Sequence, residues 1–236
     1  TIREVVNLLL LGGRRILKGA GACPVRGHSN VQGDRTMGIY EKPTEAFLTR
    51  LDEAMGITSS RAPGLDVVDT ITAMQRGRVG VFMTLGGNFA SATPDTEATE
   101  IALGQVGLTV HVSTKLNRSH AVPGVESLIL PSLGRSDTDV QAGARQFVTV
   151  EDSMSVVHRS QGSLRPPGED VLSEPVIVAE IAHRLLAGNP IDWLGAAADY
   201  DRIRNHIESA IDGFDGFNAR VREPNGFVLA NPPRDV

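Results

Sequence analysis

A glycine turn follows an apolar run of the sequence, at a point where a strand is expected to end. The run spans residues 79–85, and the turn consists of Gly86, Gly87 and Asn88. A strand, a glycine turn and a following helix together present free backbone N–H groups to a phosphate. The segment therefore predicts a nucleotide-binding loop, although doubly wound sheets also use such turns for structural reasons alone.

Polar side chains follow the next predicted strand, residues 108–112. Parallel sheets bind their ligands beyond the carboxyl ends of the strands. Five side chains in this stretch can bond a phosphate, a ribose or a base: Ser113, Thr114, Asn117, Arg118 and His120. We therefore expect a ligand-binding edge here, with a solvated loop as the alternative.

The common nucleotide motifs are absent from the sequence. It contains no G-x-G-x-x-G, and residues 111–113 at the end of the second strand include no acidic partner for a ribose. This counts against simple NAD or FAD binding. A G-x-x-x-x-G-K-[ST] sequence is also missing, which counts against a P-loop NTPase. The residues alone indicate a nucleotide-like ligand on an α/β sheet.

A second unusual passage, residues 23–34, contains Arg26 and His28 beside several glycines. An arginine can hold a carboxylate through its planar fork, and a histidine can carry a proton near neutral pH. No G-x-S-x-G or H-E-x-x-H sequence occurs in the chain, so serine-hydrolase and zinc-protease chemistry are not indicated. Cys23, the single cysteine, is interpreted as a small buried residue and excludes an intrachain disulfide or an all-cysteine cluster.

Composition limits the partners that this chain could have. Its 236 residues are 41% hydrophobic, enough for a buried core, and the formal net charge of −5 comes without any dense basic run. We therefore expect no nucleic-acid binding. The longest near-continuous apolar stretch, residues 5–11, is too short to span a membrane and lacks the features of a secretory signal. A cytoplasmic location is the expectation.

The order of elements predicts an α/β fold, a Rossmann-like and mostly parallel sheet with flanking helices. Helices are predicted at 2–11, 44–56, 65–75, 176–186 and 199–211, and strands at 79–85, 108–112 and 127–130. The first of these strands is expected to be central and buried on both faces. Thr93 and Pro94 are expected to cap and begin another helix.

Several passages resemble the molybdopterin oxidoreductases of the formate dehydrogenase H-like type. They are, in order along the chain, residues 23–38, 85–95, 112–120, 128–131 and 150–155. The resemblance covers nearly the whole chain and identifies it as a central fragment of such an alpha subunit. It implies an active-site segment at 1–40, a dinucleotide-binding domain at 41–165, and a helical extension at 166–236 that leads to a further domain.

The resemblance also implies cofactors. Such enzymes hold molybdenum between two molybdopterin guanine dinucleotides and pass electrons to a 4Fe-4S cluster. The cluster cysteines would lie in an N-terminal part outside this sequence, so the fragment alone is expected to be inactive. The implied substrate is formate or a similar small molecule, and the electron-transfer partner stays undetermined.

The resemblance also implies roles for individual residues, according to the positions that they occupy in the family's motifs. Arg26 stands where the family places an arginine beside the molybdenum, to help bind the substrate carboxylate. His28 replaces the family's usual glutamine and is the second candidate catalytic residue. The resemblance implies cofactor-binding roles for these positions: Gly27, Asn30, Gly86, Gly87, Asn88, Ser113, Thr114, Asn117, Arg118, Ser119 and His120. A family passage that contacts guanine is altered here at 151–162, and the turn at 12–19 is altered as well.

The sequence is therefore consistent with two functions from different classes. The first is a molybdenum-dependent oxidoreductase of the formate dehydrogenase type, of which this chain would be the middle. The alternative is a non-catalytic nucleotide-binding α/β module that uses the same sheet without a metal. A nicotinamide dehydrogenase is weaker, because it lacks the acidic ribose partner.

Overall fold

Helices and strands alternate along the first half of the chain. A computed structural model describes residues 2–13, 18, 28 and 30–229. Its helices are α1 Ile2–Leu11, α2 Val31–Thr36, α3 Glu45–Met55, α4 Val67–Gln75, α5 Phe89–Ala92, α6 Thr96–Leu103, α7 Glu174–Leu185, α8 Trp193–Ala198, α9 Tyr200–Ala210 and α10 Phe217–Arg220. A 3-10 helix spans Arg118–Ala121. The strands are β1 Val81–Leu85, β2 Leu108–Ser113, β3 Glu126–Pro131, β4 Val140–Gln141, β5 Ala144–Arg145, β6 Val148–Glu151, β7 Val156–Ser160 and β8 Phe227–Val228.

Strands β1, β2 and β3 form a parallel sheet in that order. Val81 is in register with Leu108, and Leu108 with Glu126. The connections between these strands carry α5, α6 and the 3-10 helix, so the predicted α/β fold with a parallel sheet and flanking helices is confirmed.

The prediction that the first strand is central was wrong for the described residues. There β1 is an edge strand, and its outward side chains Val81, Met83 and Leu85 are 61%, 37% and 50% exposed. Strand β2 is the central one, and Val112 within it is completely buried. A continuous apolar run shows which side chains a strand carries, whereas the layers packed on the two faces of the sheet decide how far they are buried.

Helices α4, α5 and α6 cover one face of the parallel sheet. Met74, Leu103 and Val106 are fully buried there. The Phe82 ring on β1 lies 4.9 Å from the ring of Phe89 on α5, which fixes the short helix against the sheet. Packing on this face therefore sets where the chain runs after the glycine turn.

A second core was not predicted, because it depends on short strands and on a tail that carries mainly turn signals. Strands β6, β7 and β8 form an antiparallel sheet, while β4 and β5 form a separate hairpin. Phe214 and Phe217 are buried with Phe227 of β8, with ring centroids 4.7–5.9 Å apart. Arg204 of α9 lies 3.9 Å above the Phe147 ring, so a charged side chain helps close this core.

Most predicted helices are confirmed. Thr44 caps α3 by accepting a hydrogen bond from the Phe47 N–H at 3.2 Å, and Gly56 ends the helix with a φ of 64°. Helices α1, α4, α7 and α9 also lie where the sequence patterns predicted them, within a few residues. No helix among the described residues is long and apolar enough to cross a bilayer. The boundaries of the three predicted domains stay predictions.

The prediction for residues 93–94 was wrong. Helix α6 begins at Thr96 instead, and its cap is Asp95, whose carboxylate accepts a hydrogen bond from the Ala98 N–H at 3.0 Å. The Thr93 side chain is buried and bonds the Thr99 hydroxyl at 2.7 Å. A carboxylate satisfies the start of a helix better than an inward-turned hydroxyl, so the chain uses the aspartate.

The link between β2 and β3 predicts a measurable steric effect. A methyl group added at Gly124 would lie 2.5 Å from the Val106 carbonyl oxygen. Gly124→Ala should therefore destabilise the protein by about 1–3 kcal/mol through overpacking. Gly80→Ala is the matched control, because nothing lies within 4 Å of that position. Thermal unfolding of the full-length protein tests this, and equal effects of the two substitutions would contradict it.

Candidate nucleotide-binding site

The glycine loop, residues 86–88, leaves β1 at the carboxyl edge of the parallel sheet. Leu85 is in register with Val112, and the Gly86 N–H donates to the Val112 carbonyl at 2.7 Å. Gly86 and Gly87 have φ values of 65° and 75°, in the left-handed region that favours glycine. Nothing lies within 4 Å of the position of a side chain at either residue. The backbone of this turn is therefore open on the side where a side chain would lie.

Asn117 ties the loop after β2 to the glycine loop. Its side-chain amide donates to the Gly87 carbonyl oxygen at 2.7 Å, and its Oδ1 accepts from the Ser119 N–H at 3.0 Å. The Asn117 N–H donates to Nδ1 of His120 at 3.0 Å, which completes a reciprocal cap. Residues 117–120, hereafter the Asn117 turn, therefore form one unit with the glycine loop.

Ser119 makes the second connection between the two loops. It is buried, accepts a hydrogen bond from the Ala90 N–H at 3.0 Å and donates to Oδ1 of Asn88 at 3.2 Å. The structure thus brings Asn88, Asn117 and Ser119 together. Their side chains bond to protein atoms, which gives them the role of holding the loops in place.

The other predicted residues of this edge differ in how accessible they are. Ser113 donates to the Lys115 carbonyl oxygen at 2.7 Å, so its hydroxyl is already engaged. Thr114 is exposed. Arg118 is exposed and paired with Glu100, and the hydrogen bond to that carboxylate raises the pKa of Arg118 further above its usual value. Lys115 is exposed beside them and was not singled out from the sequence.

The backbone of the glycine loop retains free donors. The N–H groups of Gly87 and Asn88 bond no acceptor within the part of the chain that the structure describes. Such groups suit an anionic oxygen, because a glycine backbone allows close approach and amide dipoles favour negative charge. The arrangement can therefore bind a phosphate through backbone atoms, with Lys115 and Arg118 as nearby cations.

Sequence reasoning missed one member of this region, His111 on β2. It is 2% exposed, its Nδ1 lies 3.0 Å from the Thr84 hydroxyl, and its ring centroid is 4.8 Å from that of His120. Burial, and then the proximity of His120, lower the pKa of His111 below its usual value. A histidine inside an otherwise apolar strand was the signal that could have identified it.

Of the four predicted site residues in the active-site passage, the structure describes two, His28 and Asn30. Arg26 and Gly27 lie outside the described residues, as does Cys23. His28 is exposed. Asn30 accepts a hydrogen bond from the Glu151 N–H at 2.9 Å, and Gly33 packs directly beneath its side chain. Asn30 therefore joins α2 to β6, and its amide oxygen is engaged within the protein.

A cavity of about 810 Å³ lies among α3, α7, α8 and α9, and Leu85, the residue before the glycine loop, is among its lining residues. Of the predicted site residues, all of which except Arg26 and Gly27 are described, Asn30 alone lines it. At one side the Tyr200 hydroxyl donates to Asp139 and lies 2.6 Å from the Ser173 hydroxyl. Burial and the bond to Asp139 raise the pKa of Tyr200 far above its usual value. The polar groups of this wall satisfy one another, while Glu174, whose pKa burial raises above its usual value, and His206 also line the cavity.

The altered guanine passage falls on β6, β7 and the turn between them. Met154 is exposed there, and Nε2 of His158 lies 3.0 Å from Oδ2 of Asp152. Ser160 is bonded by the Arg135 guanidinium. Across residues 2–13, 18, 28 and 30–229, no group of three histidine, cysteine or acidic side chains could hold a metal ion.

Comparison with known proteins places this chain beside longer oxidoreductases. No family model matches it. It is 58% identical to a protein of Mycobacterium tuberculosis named as an uncharacterized oxidoreductase, over 100% of this chain and 30% of that protein. Protein YdeP of Escherichia coli K12 is 49% identical over 98% of this chain and 30% of its own length. The Bacillus subtilis protein named "Putative formate dehydrogenase YrhE" is 26% identical over 78% of this chain and 18% of its own length. The chain thus spans about a third of the more similar relatives.

The contacts of Asn117 generate a prediction for the glycine loop. Asn117→Asp keeps the acceptor for Ser119 but loses the donor to Gly87, whereas Asn117→Ala loses both. Loss of the bond to Gly87, worth about 1 kcal/mol, should speed amide exchange of the bonded Gly86 N–H about fivefold in either variant. Only Asn117→Ala should also loosen the 3-10 helix. Hydrogen exchange of the full-length protein measures this, and an unchanged glycine loop in Asn117→Asp would remove the bond from its supporting role.

Proposed function

We propose that this chain is the central part of a molybdenum- and molybdopterin-guanine-dinucleotide-dependent oxidoreductase of the formate dehydrogenase type. The observation that carries the proposal is the glycine loop, open on its ligand side and held by Asn117 at the carboxyl edge of a parallel sheet. Similarity along the full chain to proteins named oxidoreductases supports the reaction class. The more distant similarity to YrhE and the resembling motifs support the finer assignment to molybdenum and formate-like substrates.

The residues present suit a guanine dinucleotide. Its pyrophosphate would accept hydrogen bonds from the N–H groups of Gly87 and Asn88, where the absent side chain of Gly87 permits close approach. Lys115 and Arg118 would offset its charge from the exposed side of the next loop. Thr114 is the exposed hydroxyl available to a ribose or a base. Helix α6 would contribute little, because Asp95 occupies its first N–H groups with a negative charge.

The chemistry of the active site would be divided between the cofactor and this chain. When bound, the molybdenum cofactor accepts the electrons removed from the substrate and delivers them to a 4Fe-4S cluster that the remaining polypeptide would carry. Arg26 would hold the carboxylate of formate or a similar small substrate through paired N–H donors. His28 would carry the proton released on oxidation, since an imidazole nitrogen can both accept and donate a proton.

The cofactor content of the full-length protein tests the proposal. After expression with functional cofactor insertion, it should contain stoichiometric molybdenum and release guanine nucleotide on acid hydrolysis. Elemental analysis and chromatography of the released nucleotide measure both quantities. Guanine nucleotide without molybdenum would instead support a non-catalytic nucleotide-binding module. The absence of both would reject nucleotide binding by this sheet.

Arg26 provides a separate prediction on turnover. Arg26→Ala should lower kcat/KM of the full-length enzyme by at least about a hundredfold, because a bound carboxylate would lose its charged partner. Molybdenum and nucleotide content should stay nearly unchanged. Arg26→Lys is the matched variant, since it keeps the charge and loses the paired geometry. Its kcat/KM should lie between those of the wild type and Arg26→Ala. Turnover of Arg26→Ala equal to the wild type would exclude Arg26 from substrate binding.

A further inference from the structure

The rings of His111, which is buried, and His120, which is partly buried, lie against each other next to the glycine loop. His111 belongs to β2, and His120 belongs to the Asn117 turn. The ring centroids are 4.8 Å apart with an interplanar angle of 44°. Through Nδ1, His111 meets the Thr84 hydroxyl, and His120 accepts from the Asn117 N–H. The pair therefore connects the central strand to the residue that bonds Gly87.

Neither ring has a partner for its second nitrogen. The Nε2 atoms of His111 and His120 are buried and bond no group among the residues that the structure describes. A neutral imidazole ring can be enclosed in this way, because it leaves only one uncharged nitrogen without a hydrogen-bond partner. A protonated His111 would place a full charge in the same enclosed site, with an N–H at Nε2 that finds no acceptor.

The surroundings of the pair offer no compensating charge. Strand β1 and helix α5 contain no titratable side chain, and β3 contains only Glu126, in register with Leu108 at the far end of the sheet. On the 3-10 helix and α6, Arg118 and Glu100 are paired with each other, and Glu97 is exposed to solvent. His120 is therefore the titratable group that faces His111, and its charge would oppose protonation.

We propose that His111 is a positioning residue, whose neutral ring holds His120 and the Asn117 turn against the glycine loop and whose protonation releases both. An effect of this release on ligand binding rests on the proposed nucleotide site. The contacts that link His111 to the glycine loop involve protein atoms alone. Four contacts link the His111 ring to the glycine loop. His111 contacts the His120 ring, and His120 bonds Asn117. Within the Asn117 turn, Asn117 bonds Gly87 and Ser119 bonds Asn88.

The direction of the pH effect follows from the enclosed site. Because burial lowers the pKa of His111 in the closed arrangement, the opened arrangement binds the proton more readily. The closed arrangement is thus fully stabilised above the ordinary imidazole pKa of about 6.5 and loses stability as the pH falls below it. The glycine loop should therefore be ordered at neutral pH and loosened in mild acid.

Amide hydrogen exchange of the full-length protein, at about pH 7.5 and about pH 5.5, tests the inference. Exchange of the hydrogen-bonded amides of Gly86, Asn117, Ser119 and His120, corrected for the chemical effect of pH, should rise in acid by up to about tenfold, the ceiling for a reference pKa of about 6.5. His111→Phe keeps a buried ring without a basic nitrogen, and this rise should fall toward none. Thr84→Val is the matched control, because it removes a bond of His111 but leaves the ring able to bind a proton.

Each outcome bears on the inference. A rise in the wild type that disappears in His111→Phe and persists in Thr84→Val supports it. A wild-type ratio near one overturns it without any variant, so the result does not depend on whether His111→Phe folds. An undiminished rise in His111→Phe overturns it as well. Guanine nucleotide content, measured on the same samples, separates the two proposals: its absence beside an intact pH response rejects only nucleotide binding.

Discussion

The parallel register of β1 and β2 is the constraint on which the candidate site depends. It brings the ends of both strands to one edge, where the Gly86 N–H reaches the Val112 carbonyl oxygen. From that point two loops leave side by side, and Asn117 and Ser119 join them with side-chain hydrogen bonds. The register is fixed in turn by burial of β2 and by the packing of Phe82 against Phe89. A shift of one residue would reverse the faces of β1 and separate the two loops.

Sequence reasoning located this edge because its signals are local. Glycines at 86 and 87 mark a left-handed turn, and the polar stretch after residue 112 marks the end of a buried strand. It did not show what the polar side chains do. Asn117 and Ser119 were expected to face a ligand, and both are occupied in joining the loops. Residue type indicates that a side chain can form hydrogen bonds, whereas the choice of partner depends on the fold.

Features that depend on distant parts of the chain were the hardest to predict. The antiparallel sheet joins β7 to β8, across more than 60 residues, and two-residue strands leave almost no periodic signal. The edge position of β1 is set by pairing in the sheet and cannot be derived from its own apolar run. The His111 pair likewise exists only because the 3-10 helix folds back over β2. For Arg26 and Gly27, the roles continue to rest on the resemblance alone.

One consequence of the Asn117 bond concerns the peptide plane that joins Gly87 to Asn88. A trans peptide is planar, so its carbonyl oxygen and its N–H point in opposite directions. By holding the Gly87 oxygen, Asn117 therefore also fixes the direction of the Asn88 N–H, which belongs to the same rigid unit. The donor is oriented before any ligand arrives, and the positive end of the dipole faces away from Asn117. The loop thus has a built-in polarity that favours an anion over a cation at the same position.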